Sequence, residues 1–193
     1  MKRKILAIIK AYVTNCYKSD APEFLLYHNL SHTEEVVAHC QQIADHYGIS
    51  ENDSNHLITA AWFHDIGNLY NTPEKHEEKS IEIMHSFLAH DCSEAELSII
   101  ENIILATRHS AVPRTLLEEI IRDADTYHFG TKHFFVTDVL VRKEMELRTG
   151  LSFPEWKKHS LELLRSHQFY TSYCKEHLDA GKRENISILA YQT

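Results

Sequence analysis

Glycine and proline are scarce in this chain, five and four residues in 193. Glu, Leu, Ile, Lys and Ala are plentiful instead, a mix that favours helices. Alternating apolar and polar runs are missing, as are Asn-Gly turns, which leaves no signal for hairpins or sheets. The four cysteines, Cys16, Cys40, Cys92 and Cys174, are far apart and form no CxxC pair. They read as free thiols of a reducing compartment, not as a disulfide frame or a zinc knuckle. Long apolar runs are absent too: no segment approaches the ~20 residues of a membrane span. The start, Met1 to Ile9, briefly imitates a signal peptide, but Lys10 breaks the apolar run and no cleavage site follows. A cytoplasmic protein, away from the membrane, is expected. Basic residues are outnumbered, 20 Lys and Arg against 28 Asp and Glu, for a net charge of -8. That balance argues against general attraction to nucleic acid, so no duplex partner is expected. It is compatible with small phosphorylated substrates, because a bound divalent cation reverses the local potential.

What is present is helical periodicity. Ile5, Ile8, Ile9, Tyr12, Val13 and Cys16 predict a first amphipathic helix over about 2–18. Ser31-His32-Thr33-Glu34 has the form of a capping box, with Ser31 as N-cap, opening a helix that Gly48 ends. A helix from Asn52 or Asp53 becomes apolar on all sides through Leu57, Ile58, Ala60, Ala61, Trp62 and Phe63, so it is buried among others. Further helices are expected at about 74–90 and 94–108, then from Pro113, as a first helical residue, to Asp125. Three more fall at about 131–148, 153–170 and 172–190. The expected class is all-α, a single-domain helical bundle over 1–193, with the helices from about 153 packing on the core.

His64-Asp65 closes the most apolar helix. Burying an ionised carboxylate beside an imidazole costs several kcal/mol, by general magnitudes, unless both are paired or bind a metal. Adjacent residues on a helix point about 100° apart, so the two do not satisfy one another by a simple contact. A cation between helices would accept both, with His32 and Asp125 approaching from other sides, as helical bundles build metal sites.

His32, then His64-Asp65, then Asp125 in Arg122-Asp123-Ala124-Asp125 resembles the H…HD…D signature of the HD superfamily of metal-dependent phosphohydrolases. Tyr27-His28-Asn29-Leu30-Ser31-His32 is similar to the YHNxxH motif of that superfamily's cyclic-nucleotide phosphodiesterases. Ala61-Trp62-Phe63-His64-Asp65, Glu77-Glu78-Lys79-Ser80, Thr107, Val141-Arg142-Lys143-Glu144, Phe169-Tyr170-Thr171 and Arg183-Glu184-Asn185 echo the bacterial single-domain phosphohydrolases of the group. The resemblance implies a divalent metal held by His32, His64, Asp65 and Asp125. Mixed imidazole and carboxylate ligation suits manganese, iron, cobalt, nickel, zinc or magnesium. It further implies His28 as the proton donor to the leaving oxygen, and Asp65 as steering the attacking water. Glu77 is the candidate for orienting a water or a ligand, His76 and His109 are candidate ligands of a second metal, and Arg142 is the candidate for substrate phosphate. His85, His90, His128 and His133 read as surface or core residues.

Two departures narrow the likeness. HD-GYP enzymes read HDIGK where this chain has Asn68, and no GYP segment follows; the purine-clamping glutamine helix of the vertebrate-type phosphodiesterases has no counterpart. The expected function is hydrolysis of a phosphomonoester or phosphodiester in a small nucleotide-like molecule at a mononuclear centre. Its rivals are a nucleotide-sensing module without turnover, a di-iron oxygenase that needs His76 and His109 as ligands, and a scaffold whose terminal helices bind a partner. A homodimer is compatible with all of these.

Overall fold

A computed structural model describes residues 4–70 and 75–191, and among them nine α-helices and no strand. The helices are α1 (Lys4–Asp20), α2 (Leu30–Tyr47), α3 (Glu51–Phe63), α4 (His76–Leu88), α5 (Glu94–Leu105), α6 (Leu116–Asp125), α7 (Phe134–Thr149), α8 (Trp156–Ser166) and α9 (Ser172–Tyr191). Two short 3-10 turns, Ile66–Tyr70 and Tyr127–Gly130, follow α3 and α6. The all-α class is as the composition implied.

The hub is α3. Ser50 caps it by accepting from the Asp53 amide at 3.1 Å, and Glu51 and Asp53 in its first turn complement the helix dipole. Every residue from Asn55 to Phe63 is buried, and α1, α2, α4, α5 and α6 pack around it. Leu57, Ile58 and Phe63 each contribute about 1.5–3 kcal/mol by leaving water. The last turn of this helix therefore ends deep in the protein, and so does His64-Asp65 directly after it.

Several boundaries differ from expectation. The cap of α2 is Asn29, whose Oδ1 accepts from the Ser31 and His32 amides at 2.9 and 3.2 Å; Ser31 already lies inside the helix. The capping box occurs at Ser93 and Glu96 instead, where both reciprocal bonds form. Pro113 precedes α6, which Thr115 caps by accepting from the Glu118 amide. The expected 153–170 helix is shorter, and residues 167–171 form an extended strap between α8 and α9. Residues 2 and 3 of the expected first helix, and residue 74 of the fourth, lie outside the described residues.

Asp123 accounts for the strap. Fully buried, it accepts from the Tyr170 amide at 2.8 Å, the Thr171 amide at 2.8 Å and the Thr171 hydroxyl at 2.6 Å. Those bonds hold residues 170 and 171 out of helical geometry and set the start of α9, because Thr171 Oγ1 in turn accepts from the Cys174 amide at 3.1 Å.

Further along, α9 crosses the Tyr127–Gly130 turn at a pair of glycines. A Cβ on Gly181 would lie 2.0 Å from the Gly130 carbonyl oxygen, a backbone atom that cannot rotate away. Gly181→Ala should therefore destabilise the protein by about 1–3 kcal/mol through overpacking. Urea denaturation checks this; an unchanged midpoint would mean the crossing adjusts freely.

Candidate metal centre

The HD pair leaves α3 through a turn, with His64 as the C-cap. His64 keeps helical dihedrals, and the two side chains still approach one another: His64 Nε2 lies 3.4 Å from Asp65 Oδ2. No hydrogen bond joins the two atoms, so the pair does not satisfy itself, in line with the expectation. Ser80 of α4 secures the turn, accepting from the Gly67 amide at 2.9 Å and donating to the His64 carbonyl at 2.8 Å. Gly67 is needed there, since a Cβ would lie 2.0 Å from the His76 carbonyl oxygen.

His32 reaches the same point from the first turn of α2, 3.5 Å from Asp65 Oδ2 and 3.1 Å from Asp125 Oδ1. Asp125, the last residue of α6, places Oδ1 3.8 Å from His64 Nε2. A carboxylate at a helix C-terminus opposes the dipole, which marks the position as serving something besides helix stability. Together, donor atoms of His32, His64 and Asp125 lie within 4.8 Å of one another, with Asp65 Oδ2 beside both imidazoles.

This geometry fits a cation. His64 Nδ1 donates to the Ala61 carbonyl at 2.7 Å, which leaves Nε2 as the nitrogen facing inward. Buried His64 Nε2 and Asp65 Oδ2 have no hydrogen-bond partner among the described residues. Burial pulls the His64 imidazole down, but the carboxylates of Asp65 and Asp125 outweigh it and push it up to about 9. Asp65 goes the other way: desolvation is overcome by the surrounding histidines, His64 first, and it stays well below the usual carboxylate range. Two carboxylates and two imidazoles in so small a space call for added positive charge.

Around this cluster stand the other expected residues. His76 Nε2 is 3.4 Å from Asp65 Oδ1, the oxygen turned away from His32 and His64, and 3.5 Å from Glu77 Oε1. Glu77 is itself buried and 3.8 Å from Arg108 Nε. His109 instead lines a cleft of about 360 Å³ on the Asp125 side, together with Thr126, His167, Gln168 and Tyr170. The geometry does not bring Arg142 to the cluster; it pairs with Glu146 at 3.0 Å on the face of α7 turned to solvent. Arg122, the cation nearest in sequence, is also engaged, donating to the carbonyls of Ala106, Arg108 and His109 at the end of α5.

His28 has a neighbour that sequence reading passed over. Its Nδ1 lies 2.6 Å from Glu144 Oε1, while the other carboxylate oxygen accepts from the Tyr27 and His28 amides at 2.8 and 3.0 Å. Glu144 is 1% exposed and also pairs with Arg148 at 3.0 Å. Arg148 continues to Asn68 Oδ1 at 3.0 Å, and the Asn68 amide donates to Asp65 Oδ1 at 3.2 Å. A hydrogen-bonded chain thus runs from His28 to Asp65. Burial works against a protonated His28, but Glu144 and then Asp65 outweigh it and raise its pKa. The imidazole stands beside the cluster, ring centre 6.1 Å from that of His32 and 6.4 Å from that of His76. One signal for this partner was present, the i,i+4 spacing of Glu144 and Arg148 on α7.

Comparison with known proteins agrees with this architecture. The HD domain family matches residues 29–130, more than half of the chain and all four points of the H…HD…D pattern, so the protein belongs to the HD-domain family. Members of that family are generally metal-dependent phosphohydrolases and bind divalent metals. A crystal structure of a Lactobacillus plantarum protein, a structural-genomics target, superposes with a TM-score of 0.68 at 16% identity, covering 99% of this chain and 97% of that one. At that identity the likeness speaks to the fold. No curated protein matches. No helix of the described residues is long and apolar enough to cross a membrane.

Proposed function

We propose that the protein is a phosphohydrolase acting on a phosphomonoester or phosphodiester of a small nucleotide-like molecule, at one divalent cation held by His32, His64, Asp65 and Asp125. The observation that carries this reading is a pair of buried atoms without partners among the described residues, His64 Nε2 and Asp65 Oδ2, beside His32 and Asp125. Such a cation supplies Lewis-acid polarisation of a phosphoryl oxygen and a nucleophile from water near neutral pH. His28 holds the proton for the leaving oxygen, Glu144 keeps that imidazole protonated, and Glu77 orients polar groups beside His76. The cleft bordered by Asp125, Thr126 and Tyr170 receives the organic part of the substrate. A cytoplasmic setting agrees with four free cysteines.

The second reading, a two-metal centre, is favoured by one observation: Asp65 turns one oxygen to His32 and His64 and the other to His76. Elemental analysis separates the two. In the mononuclear reading His76→Ala keeps about one metal per chain; a fall from about two to about one would establish the pair. A nucleotide and cyclic-nucleotide screen of the metal-loaded protein tests turnover, and binding of a nucleotide without hydrolysis would replace the enzyme with a sensor.

A further inference from the structure

The chain carries a net charge of -8, yet one pocket has the opposite character. Between α8, α9 and the strap that joins them lies a cavity of about 390 Å³ lined by Arg165, Lys175, Lys182 and Arg183, with Asp179 its single acid. Lys182 is only 8% exposed. Its Nζ donates to the His167 carbonyl at 2.8 Å and lies 5.2 Å from the centre of the Phe169 ring. Among the described residues, neither Lys182 nor Arg165 nor Arg183 forms an ion pair. Burial, joined by the neighbouring Arg183 charge, pulls the Lys182 ammonium below the usual lysine range despite the opposing pull of Asp179 and Asp123. A buried ammonium without an ion-pair partner among the described residues is costly, and it persists where something else gains from it.

We propose that this pocket binds a phosphoryl anion, the phosphate or pyrophosphate group of a small molecule, with Lys182 as the buried anchor and Arg165 and Arg183 closing on it from α8 and α9. Arginine forks match the oxygens of a phosphoryl group two at a time, and the compact ammonium meets the remaining charge. A single carboxylate would leave most of this positive charge unanswered. The pocket is separate from the His32 cluster. His167 stands between them: its carbonyl accepts from Lys182, and its Nε2 lies 3.0 Å from Thr126 Oγ1, next in sequence to Asp125. The strap that forms one wall of the anion pocket therefore also forms a wall of the cleft beside Asp125, both lined by His167 and Gln168.

The test uses chelator-treated full-length protein and inorganic pyrophosphate, with sodium chloride at matched ionic strength as the control. Calorimetry should give saturable binding, and the melting temperature should rise by roughly 5–10 °C at a hundred times Kd. Arg165 and Arg183 are exposed, so the Arg165→Gln, Arg183→Gln double variant should fold normally and bind at least ~10-fold more weakly. Lys182→Met should lose binding altogether, with circular dichroism confirming its fold. His64→Ala should bind as the unaltered protein does, whatever becomes of its activity. Absence of binding at millimolar pyrophosphate would overturn the proposal, as would undiminished binding by the arginine double variant. Loss of binding in His64→Ala would move the anion to the metal centre and equally overturn it.

Discussion

His64→Ala and Asp65→Ala proteins should each purify without stoichiometric metal and without phosphatase activity. Both side chains are buried, with Nε2 and Oδ2 3.4 Å apart and, among the described residues, no hydrogen-bond partner for either atom. Removing the imidazole leaves Asp65 and Asp125 facing one another with less positive charge between them. Removing the carboxylate leaves His64, otherwise raised to about 9, without its main counter-charge. Breaking a buried pair in this way costs about 3–5 kcal/mol, so each variant should also melt earlier in the presence of chelator. Asp65→Asn isolates charge from shape: metal should still be lost, while folding should suffer less. Elemental analysis of protein purified without chelators decides the matter. Full metal content in the double alanine variant would put the cation, and with it the proposed chemistry, elsewhere.

His28→Ala should lower turnover by ~100–10,000-fold and leave metal content unchanged, since the proposed role is proton donation to the leaving oxygen. Activated substrates such as p-nitrophenyl esters need little protonation and should lose much less. Glu144 supplies a second arm. The acid works only while His28 is protonated, and Glu144, 2.6 Å away, raises its pKa against the effect of burial. The alkaline limb of the rate profile should therefore lie higher in the unaltered protein and move to lower pH in Glu144→Gln. Equal loss on activated and unactivated substrates, or an alkaline limb that does not move, would leave His28 a positioning role only.

The hub of the fold and the HD turn were legible because they follow from one pattern, a helix apolar on every side that ends in two polar residues. Such a segment has nowhere to go but the interior, and its polar end must meet other polar groups there. The helix cap at Asn29 was misread for a local reason: Ser31 and Glu34 have the right spacing, but the Asn29 side chain already takes both nearby amides. On α7 the obstacle was different. Positions 142 and 146 share one face, 144 and 148 another, and α7 has no strong apolar stripe to tell which face turns inward. Burial chose Glu144 and Arg148. The cationic pocket had no sequence signature at all, since its residues are spread from 165 to 183 and meet only because the strap folds α9 back along α8.

Asp123 and Asp125 stand two residues apart at the same helix end. One carboxylate faces His32 and His64; the other is tied to Tyr170 and Thr171. The stretch that family likeness picks out, 29–130, is therefore not a stretch that can be excised and expected to work. A fragment stopping at Gly130 would deprive the buried Asp123 carboxylate of its Tyr170 and Thr171 donors, two residues from Asp125, the proposed ligand. It would also uncover the turn that α9 shields, while a late start would strip Ile9 and Val13 from the core. For anyone trimming, fusing or permuting this protein, tolerance should be sought at the exposed turn around Gly150, not near the strap, even though the strap lies well beyond the last matched residue.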